Sequence, residues 1–395
     1  MNINKLKNVD IVDKTKCYGC TNCAVICNVG AIQIKINEDG FLQPYVDKPK
    51  CTDCSLCIDV CPALNEFGLS SIEAAEVYAL YSNTLPIRLL SASGGVSLSI
   101  ALKLHDEGYN VLGAVYNDDF RAIHHEVCDD VYKVLLTAGS KYVQSDLSTA
   151  LKRSIQNKTE KFILFGTPCQ IAGARNVLAK KHFDQDNFIL VDFFCHGVPS
   201  YHLWWAFINN LKNKIGTINS LELRFKKNSW QRFYIRAFGN EGSYLKAFSD
   251  DEFGKLFLSN YCLRQSCYTC KFNKMSAADI RIGDFWGRYF SSDLMGVSIS
   301  IPLNSKGYNT IVKTTDLNVQ SVPNNMIYQS QGIKEGLRFN IPHNNDVVLS
   351  NLKNGKTITS IYLKYKYPSD LIRLPAKTIR RILPPRLVDL LKKLL

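Results

Sequence analysis

Two cysteine runs with the same spacing constrain this chain more than any other feature of its sequence. Cys17, Cys20, Cys23 and Cys27 form the first; Cys51, Cys54, Cys57 and Cys61, followed by Pro62, form the second. Both read C-x2-C-x2-C-x3-C. Three thiolates two residues apart wrap one corner of a compact iron–sulfur cube, and the fourth, on the next helical turn, points away to a second cube. The spacing therefore predicts two [4Fe–4S] clusters with exchanged fourth ligands. Cys17, Cys20, Cys23 and Cys61 hold one, and Cys51, Cys54, Cys57 and Cys27 hold the other. A disulfide framework suits a short secreted chain, and this one has 395 residues and no secretory signal. Structural zinc takes two separated ligand pairs rather than four crowded cysteines repeated.

The pattern is that of a bacterial two-cluster ferredoxin, and residues 1–70 read as such a domain: short strands, two ligand loops and an internal duplication. Asn28 stands where the second run has Pro62, a change at a turn-shaping position rather than at a ligand. Apolar content of 46% and charged content of 21% are those of a soluble globular protein of two or three domains. No apolar run reaches the length of a membrane span, and the opening MNINKLKNVD lacks a signal-peptide core. Free thiols in this number, with oxygen-sensitive clusters, imply a reducing cytoplasm. The formal charge of +13 does not imply nucleic acid: no such motif accompanies it, and thiolate-bound clusters add negative charge that the count omits. A basic surface also suits an acidic electron donor or a phosphate-bearing ligand.

Beyond a linker at 65–75, strand-like and helix-like segments alternate. Strands are expected at 76–81, 110–116, 161–165, 187–195 and 279–285, and helices at 93–105, 147–156, 170–181 and 201–212. This alternation predicts an α/β core. Between 220 and 248, LELRFKK, RFYIRAF and SYLKAF alternate in period two, like an antiparallel meander. The chain divides into 1–70, 75–155, 156–335 and a basic extension at 336–395. In that extension Arg373, Lys377, Arg380, Arg381, Arg386, Lys392 and Lys393 face only Asp389. It reads as a helix packed on the body or on an enzyme partner, in preference to a peripheral membrane contact.

Of the six remaining cysteines, Cys169 (FGTPCQIAG) and Cys195 (FFCHGVPS) each sit just past a strand, and CLRQSCYTCKF carries Cys262, Cys267 and Cys270. Such positions converge on the edge of an α/β sheet where its sites lie. A third [4Fe–4S] cluster on Cys169, Cys195, Cys267 and Cys270 is the preferred reading, with Cys262 as the alternative ligand. Cys128 reads as a buried small hydrophobe. Ser93, Gly94 and Gly95 precede a helix whose free N–H groups suit a phosphate, or else make an ordinary cap and turn. Lys141 reads as neutralising a pyrophosphate or reduced flavin, or as a surface lysine. His196 and Asp284 stay open between site and structural roles.

In order along the chain, SASGGVSLSIALKLHDEGYNVLGAVY, GSKYVQSDL, FGTPCQIAG, CHGVPS, SCYTCKF and ADIRIGDFWG resemble the coenzyme F420 hydrogenase/dehydrogenase β-subunit family, from about residue 75 to 330. The resemblance implies an α/β flavoprotein with FAD beside an intrinsic [4Fe–4S] cluster. It also makes 75–155 and 156–335 the N- and C-terminal domains of that subunit. By motif match it marks Ser93, Gly94, Gly95, Ser140, Lys141, Gly166 and Thr167 as flavin-site residues, with Lys141 and His196 in catalytic roles. The implied activity is an oxidoreductase taking single electrons from a reduced ferredoxin-like donor, through the clusters and FAD, to a small organic substrate, or the reverse. The other readings are a relay subunit of a hydrogenase or dehydrogenase complex, and a surface-polysaccharide-associated protein of this fold. No residue singles out the deazaflavin as substrate.

Overall fold

A computed structural model describes residues 7–73, 75–332, 342 and 344–365. In the first module, two short helices, α1 (Asn22–Ile26) and α2 (Leu56–Asp59), flank an antiparallel pair, β1 (Ile32–Ile36) and β2 (Leu42–Val46). The duplication seen in the cysteine spacing recurs in the backbone. Gly19 and Asp53 precede the second cysteine of each run, Thr21 and Ser55 follow it, and all four have positive φ, between 51° and 67°. Left-handed backbone is costly for a β-branched residue such as Thr21; here it starts the ligand-bearing helix within a three-residue turn.

The linker segment is pinned rather than free. It carries β3 (Ser70–Ser71), which pairs antiparallel with a distant strand, and Ile72 after it is fully buried. An eight-stranded mixed sheet follows. In chain order its strands are β4 (Val77–Ser82), β5 (Tyr109–Tyr116), β6 (Ile123–Cys128), β7 (Lys161–Gly166), β8 (Phe188–Phe193), β13 (Ile280–Asp284), β14 (Ser298–Pro302) and β15 (Leu317–Val322). Between β8 and β13 lie the meander β9 (Ile218–Phe225), β10 (Tyr234–Gly239) and β11 (Gly242–Ala247), and β12 (Met275–Ser276), the partner of β3. The sheet order is β15-β4-β14-β13-β8-β7-β5-β6. β13, β8, β7 and β5 are mutually parallel, so their C-terminal ends share one edge. The fold class is α/β with a meander, as the alternation predicts. The sheet takes strands from both sides of residue 155.

The helices that matter for the site are α3 (Leu85–Leu90), α4 (Val96–Asp106), α5 (Val131–Leu136), α6 (Ser148–Ser154), α7 (Pro168–Lys180), α8 (Tyr201–Ile215), α9 (Glu252–Leu258) and α10 (Gln265–Tyr268). Val25, Ile26, Ile32 and Val60 of the first module share one buried cluster with Leu164, Leu190 and Val177 of the large one. Fully burying such a side chain stabilises by roughly 1.5–3 kcal/mol, so the modules are held by a common core. Asn22 reaches across it, donating to the Gln170 carbonyl at 3.0 Å. Gly173 makes room for that reach: a Cβ there would stand 2.4 Å from Asn22 Nδ2.

The basic residues from Arg373 to Lys393, and the membrane contact drawn from them, lie outside the described residues. Among those described, no helix is long and apolar enough to cross a membrane.

Candidate functional site

Cys17, Cys20 and Cys23 from the first run and Cys61 from the second line one cavity of about 360 Å³, with Tyr18, Thr21 and Pro62. Cys61 of the second run thus stands with three cysteines of the first, the grouping that the spacing implies. Burial, and after it the Cys61 thiol, pushes Cys20 up to about 12, and burial holds Cys23 well above the usual thiol range. Cys57 is pushed up to about 11, first by burial, with Cys54 and Cys27 as its thiol neighbours. Those are three of the four cysteines expected at the second cluster. Buried thiols resist ionisation in an apolar wall, and iron supplies the positive charge that lets them bind as thiolates. Backbone N–H groups also reach the sulfurs: Ala31 donates to Cys27 Sγ at 3.2 Å and Gly19 to Cys17 Sγ at 3.4 Å. Asn28, in place of proline, accepts from Lys181 Nζ at 2.6 Å and so ties the first run to the end of α7.

A second cavity, of about 520 Å³, lies at the C-terminal edge of the parallel strands. Cys169, Cys195, Cys267 and Cys270 all line it, with Tyr18, Thr167 and His196. Cys169 opens α7 just past β7, and Cys195 stands two residues past β8. Cys267 lies in α10 and Cys270 just beyond it. Burial pushes Cys267 up to about 12 and Cys169 well above its usual value, and Cys20 is among the charges acting on Cys169. The two sulfur-lined cavities are therefore neighbours. Cys262 is not in either lining. It is fully buried, packed with Leu263 and Tyr268, and its thiol points at the Leu256 carbonyl at 3.7 Å. Cys128 is likewise fully buried, among Val111 and Ile163. Among the described residues, no three His, Cys, Asp or Glu side chains are placed to hold a single metal ion. The cysteines surround volumes instead, which fits a multi-atom group.

The loop carrying Cys270 is fixed from beneath. Arg281 on β13 donates to both carboxylate oxygens of Asp192 on β8, Nε and Nη2 each at 2.7 Å, with both side chains fully buried. Its remaining donors reach the carbonyls of Phe272 and Met275, both at 3.0 Å. Sequence reading misses this pair, because a strand reading DIRIGD gives no sign that its arginine points inward.

The residues expected around a flavin fall in three places along the same edge. Thr167 caps α7, its backbone N–H donating to Gln170 Oε1 at 3.0 Å, and its hydroxyl lies 3.2 Å from Cys169 Sγ. Gly166 precedes it, buried. Ser93 donates to the Val297 carbonyl at 2.7 Å, and Gly94 N–H to Ser298 Oγ at 3.1 Å. Gly95, at φ +88°, starts α4, and a Cβ at Gly94 would meet the Leu80 carbonyl at 2.5 Å. Ser140 and Lys141 follow α5. Burial pulls Lys141 down to about 8, and its ammonium donates to the carbonyls of Thr137 and Ala138 at 3.2 and 3.1 Å, at the C-terminal end of that helix. His196 packs against Phe257, ring centroids 4.7 Å apart.

Arg224 on β9 draws these loops together. It donates to Asp284 at 2.7 Å, to the Tyr142 hydroxyl at 3.1 Å and to the Ala92 carbonyl at 3.1 Å, while stacking over Phe233 at 4.0 Å. Lys226 donates to the carbonyls of Arg88, Ser93 and Met295. Neither is singled out by sequence. In LELRFKK they read as the solvated positions of a meander strand; the acceptors of Lys226 are all backbone carbonyls with no sequence signature, and those of Arg224 lie 60 or more residues away.

Residues 159–328 match the C-terminal region of the coenzyme F420 hydrogenase/dehydrogenase beta subunit, and residues 16–65 match a 4Fe-4S dicluster domain. No curated protein matches the chain. A solved chain of the F420-reducing [NiFe] hydrogenase complex from Methanosarcina barkeri is similar at 16% identity and a TM-score of 0.46, over 76% of this chain and 95% of that one.

Proposed function

The chain carries the C-terminal domain of the coenzyme F420 hydrogenase/dehydrogenase beta subunits behind a 4Fe-4S dicluster domain, and on that premise we propose that it is an iron–sulfur flavoprotein oxidoreductase. One-electron chemistry is what [4Fe–4S] clusters supply when bound, and a flavin joins that to two-electron hydride chemistry. In this reading Cys17, Cys20, Cys23 and Cys61 hold the first cluster, and Cys27, Cys51, Cys54 and Cys57 the second. Cys169, Cys195, Cys267 and Cys270 hold a third. The observation that carries the reading is the convergence of four cysteines from three separate segments on one cavity, beside the cavity of the first cluster. The implied setting is the reducing cytoplasm, and the implied donor a reduced ferredoxin-like protein.

For FAD, the supporting geometry is the edge on which the loops of Ser93–Gly95, Ser140–Lys141 and Gly166–Thr167 lie. There Thr167 and His196 face the cavity of Cys169, Cys195, Cys267 and Cys270, Arg224 and Lys226 hold the loop backbones, and Lys141 carries the ammonium suited to an anionic isoalloxazine or phosphate. Its carbonyl partners, at Thr137, Ala138 and Gly139, leave that charge in place while fixing where it points. The substrate is an organic two-electron acceptor or donor.

A second reading, an electron-relay subunit on a catalytic partner, draws on exposed apolar side chains of two short helices, Leu89 and Leu90 of α3 and Tyr132 and Leu136 of α5. Anaerobic assay of the isolated, cluster-loaded chain with a low-potential one-electron donor and a panel of two-electron acceptors separates the two. Turnover supports the flavoenzyme. No turnover, with stoichiometric recovery of a large partner subunit from the native host, supports the relay.

A further inference from the structure

Arg264 lies in CLRQSC, three residues before Cys267, and is 4% exposed. Its guanidinium reaches into the first module, Nη1 donating to the Cys17 carbonyl at 3.1 Å and Nη2 to the Leu42 carbonyl at 2.6 Å. Nη2 also donates to Gln144 Oε1 at 3.1 Å. The Gln144 amide in turn donates to the carbonyls of Tyr18 and Gly19, at 2.8 and 2.9 Å. Ser266, beside Cys267, adds a bond to the Cys17 carbonyl at 3.0 Å. Gly19 is obligatory against this clamp, since a Cβ would stand 2.5 Å from Arg264 Nη2. Tyr18 between them lines both cysteine cavities and packs edge-on against Phe272, ring centroids 5.3 Å apart.

Every acceptor of Arg264 is neutral, and among the described residues no carboxylate pairs with it. A buried cation without a counter-charge is costly, and buried charges are paired or lie against compensating groups. The charge that compensates it belongs with the two sulfur-lined cavities it stands between, because a [4Fe–4S] cube held by four thiolates is net negative.

We propose that Arg264 is the charged joint between the first and third iron–sulfur sites, a positioning residue that fixes their separation across Tyr18 and raises the reduction potential of both. The inference rests on the three-cluster reading above. A nearby positive charge stabilises the form carrying the extra electron, and net charge and hydrogen bonding set such potentials. With both clusters bound, the step these residues would serve is the transfer of one electron from the site on one side of Tyr18 to the site on the other, with no proton moved and no bond made.

The test is an anaerobic redox titration of the full chain followed by electron paramagnetic resonance, with iron counted in every sample. In Arg264→Gln the signals of the first and third sites shift to lower potential, while that of the site at Cys27, Cys51, Cys54 and Cys57 stays in place. Arg264→Lys, which keeps the charge, restores most of the shift. Gln144→Glu puts a carboxylate against Nη2 in exchange for the amide bonds to the Tyr18 and Gly19 carbonyls and, in samples that keep full iron, lowers the same two potentials, which gives a second variant if Arg264→Gln loses iron. Unchanged potentials in iron-replete Arg264→Gln or Gln144→Glu, or an equal shift at all three sites, overturn the proposal. A wild-type count of about 8 iron atoms instead of about 12 overturns the three-cluster reading itself, and is seen before any variant is titrated.

Discussion

Replacing Asp192 by asparagine removes one charge from the fully buried pair under the third cysteine site and changes almost no volume. Arg281 is then left in the sheet without its carboxylate. Breaking a buried ion pair from one side costs about 3–5 kcal/mol, because the surviving charge is uncompensated. At roughly 2–4 °C per kcal/mol for a domain of this size, the anaerobic thermal midpoint falls by roughly 6–20 °C. The loss is local as well as global. Ser276 donates to the same carboxylate at 2.7 Å, and Arg281 holds the carbonyls of Phe272 and Met275, just past Cys270. On the three-cluster reading, iron content falls toward about 8 atoms per chain from about 12 as the third site loosens. The double variant Asp192→Leu/Arg281→Leu removes both charges and recovers much of the lost stability, since apolar replacement of a buried pair is often neutral or better. Circular dichroism melts and iron assays under anaerobic conditions read both effects. A midpoint within about 2 °C of wild type, with full iron in Asp192→Asn, would refute the reasoning.

Cys267→Ser is expected to lower iron by about four atoms per chain, whereas Cys262→Ser leaves the count unchanged; inductively coupled plasma analysis decides. Asp316 accepts hydroxyl bonds from Ser82, Ser99 and Thr84, the last two each at 2.7 Å. Burial opposes its charge, but those bonds outweigh burial and hold its carboxyl below the usual value of 3.8. A depressed carboxyl contributes stability above its unfolded value and loses it as pH falls through the folded one. The stability gap between wild type and Asp316→Asn should thus be full above about pH 4 and narrow below it, as read by acid titration of the circular dichroism signal. Gly173→Val drives a side chain into Asn22 and is expected to cost about 1–3 kcal/mol, with faster protease cleavage between the modules. Arg224→Met releases the loops of Ala92 and Tyr142 and is expected to lower FAD occupancy several-fold at unchanged iron, read from the flavin-to-iron ratio.

The cysteine spacing was legible because cluster ligation is local: loop geometry and ligand identity are written together in eleven residues. Strands β5, β7 and β8 and helices α6, α7 and α8 were legible for a similar reason, since apolar period and strand–helix alternation mark them. β6, β14 and β15 escaped. β6 reads IHHEVC and β15 reads LNVQSV, polar strands at the two edges of the sheet; β6 pairs with its hairpin neighbour β5 and is missed for its polarity, while the partner of β15, β4, also lies far off in sequence. The candidate site divides in the same way. Cysteines at strand ends announce themselves, but Arg264, Gln144, Arg224 and Lys226 act on backbone carbonyls more than 60 residues away in most cases, and a carbonyl has no side-chain signature. Tyr18 sits between Cys17 and Cys20 and reads as filler until both cavities are seen to share it.

The most direct measurement is a stepwise anaerobic reduction of the iron-replete, FAD-supplemented chain with a one-electron reductant, followed by visible absorbance and paramagnetic resonance. The account predicts three distinguishable cluster signals from about 12 iron atoms and a flavin band that bleaches in the same titration. Two cluster signals with no bound flavin would contradict it, and would leave the chain a two-cluster electron carrier.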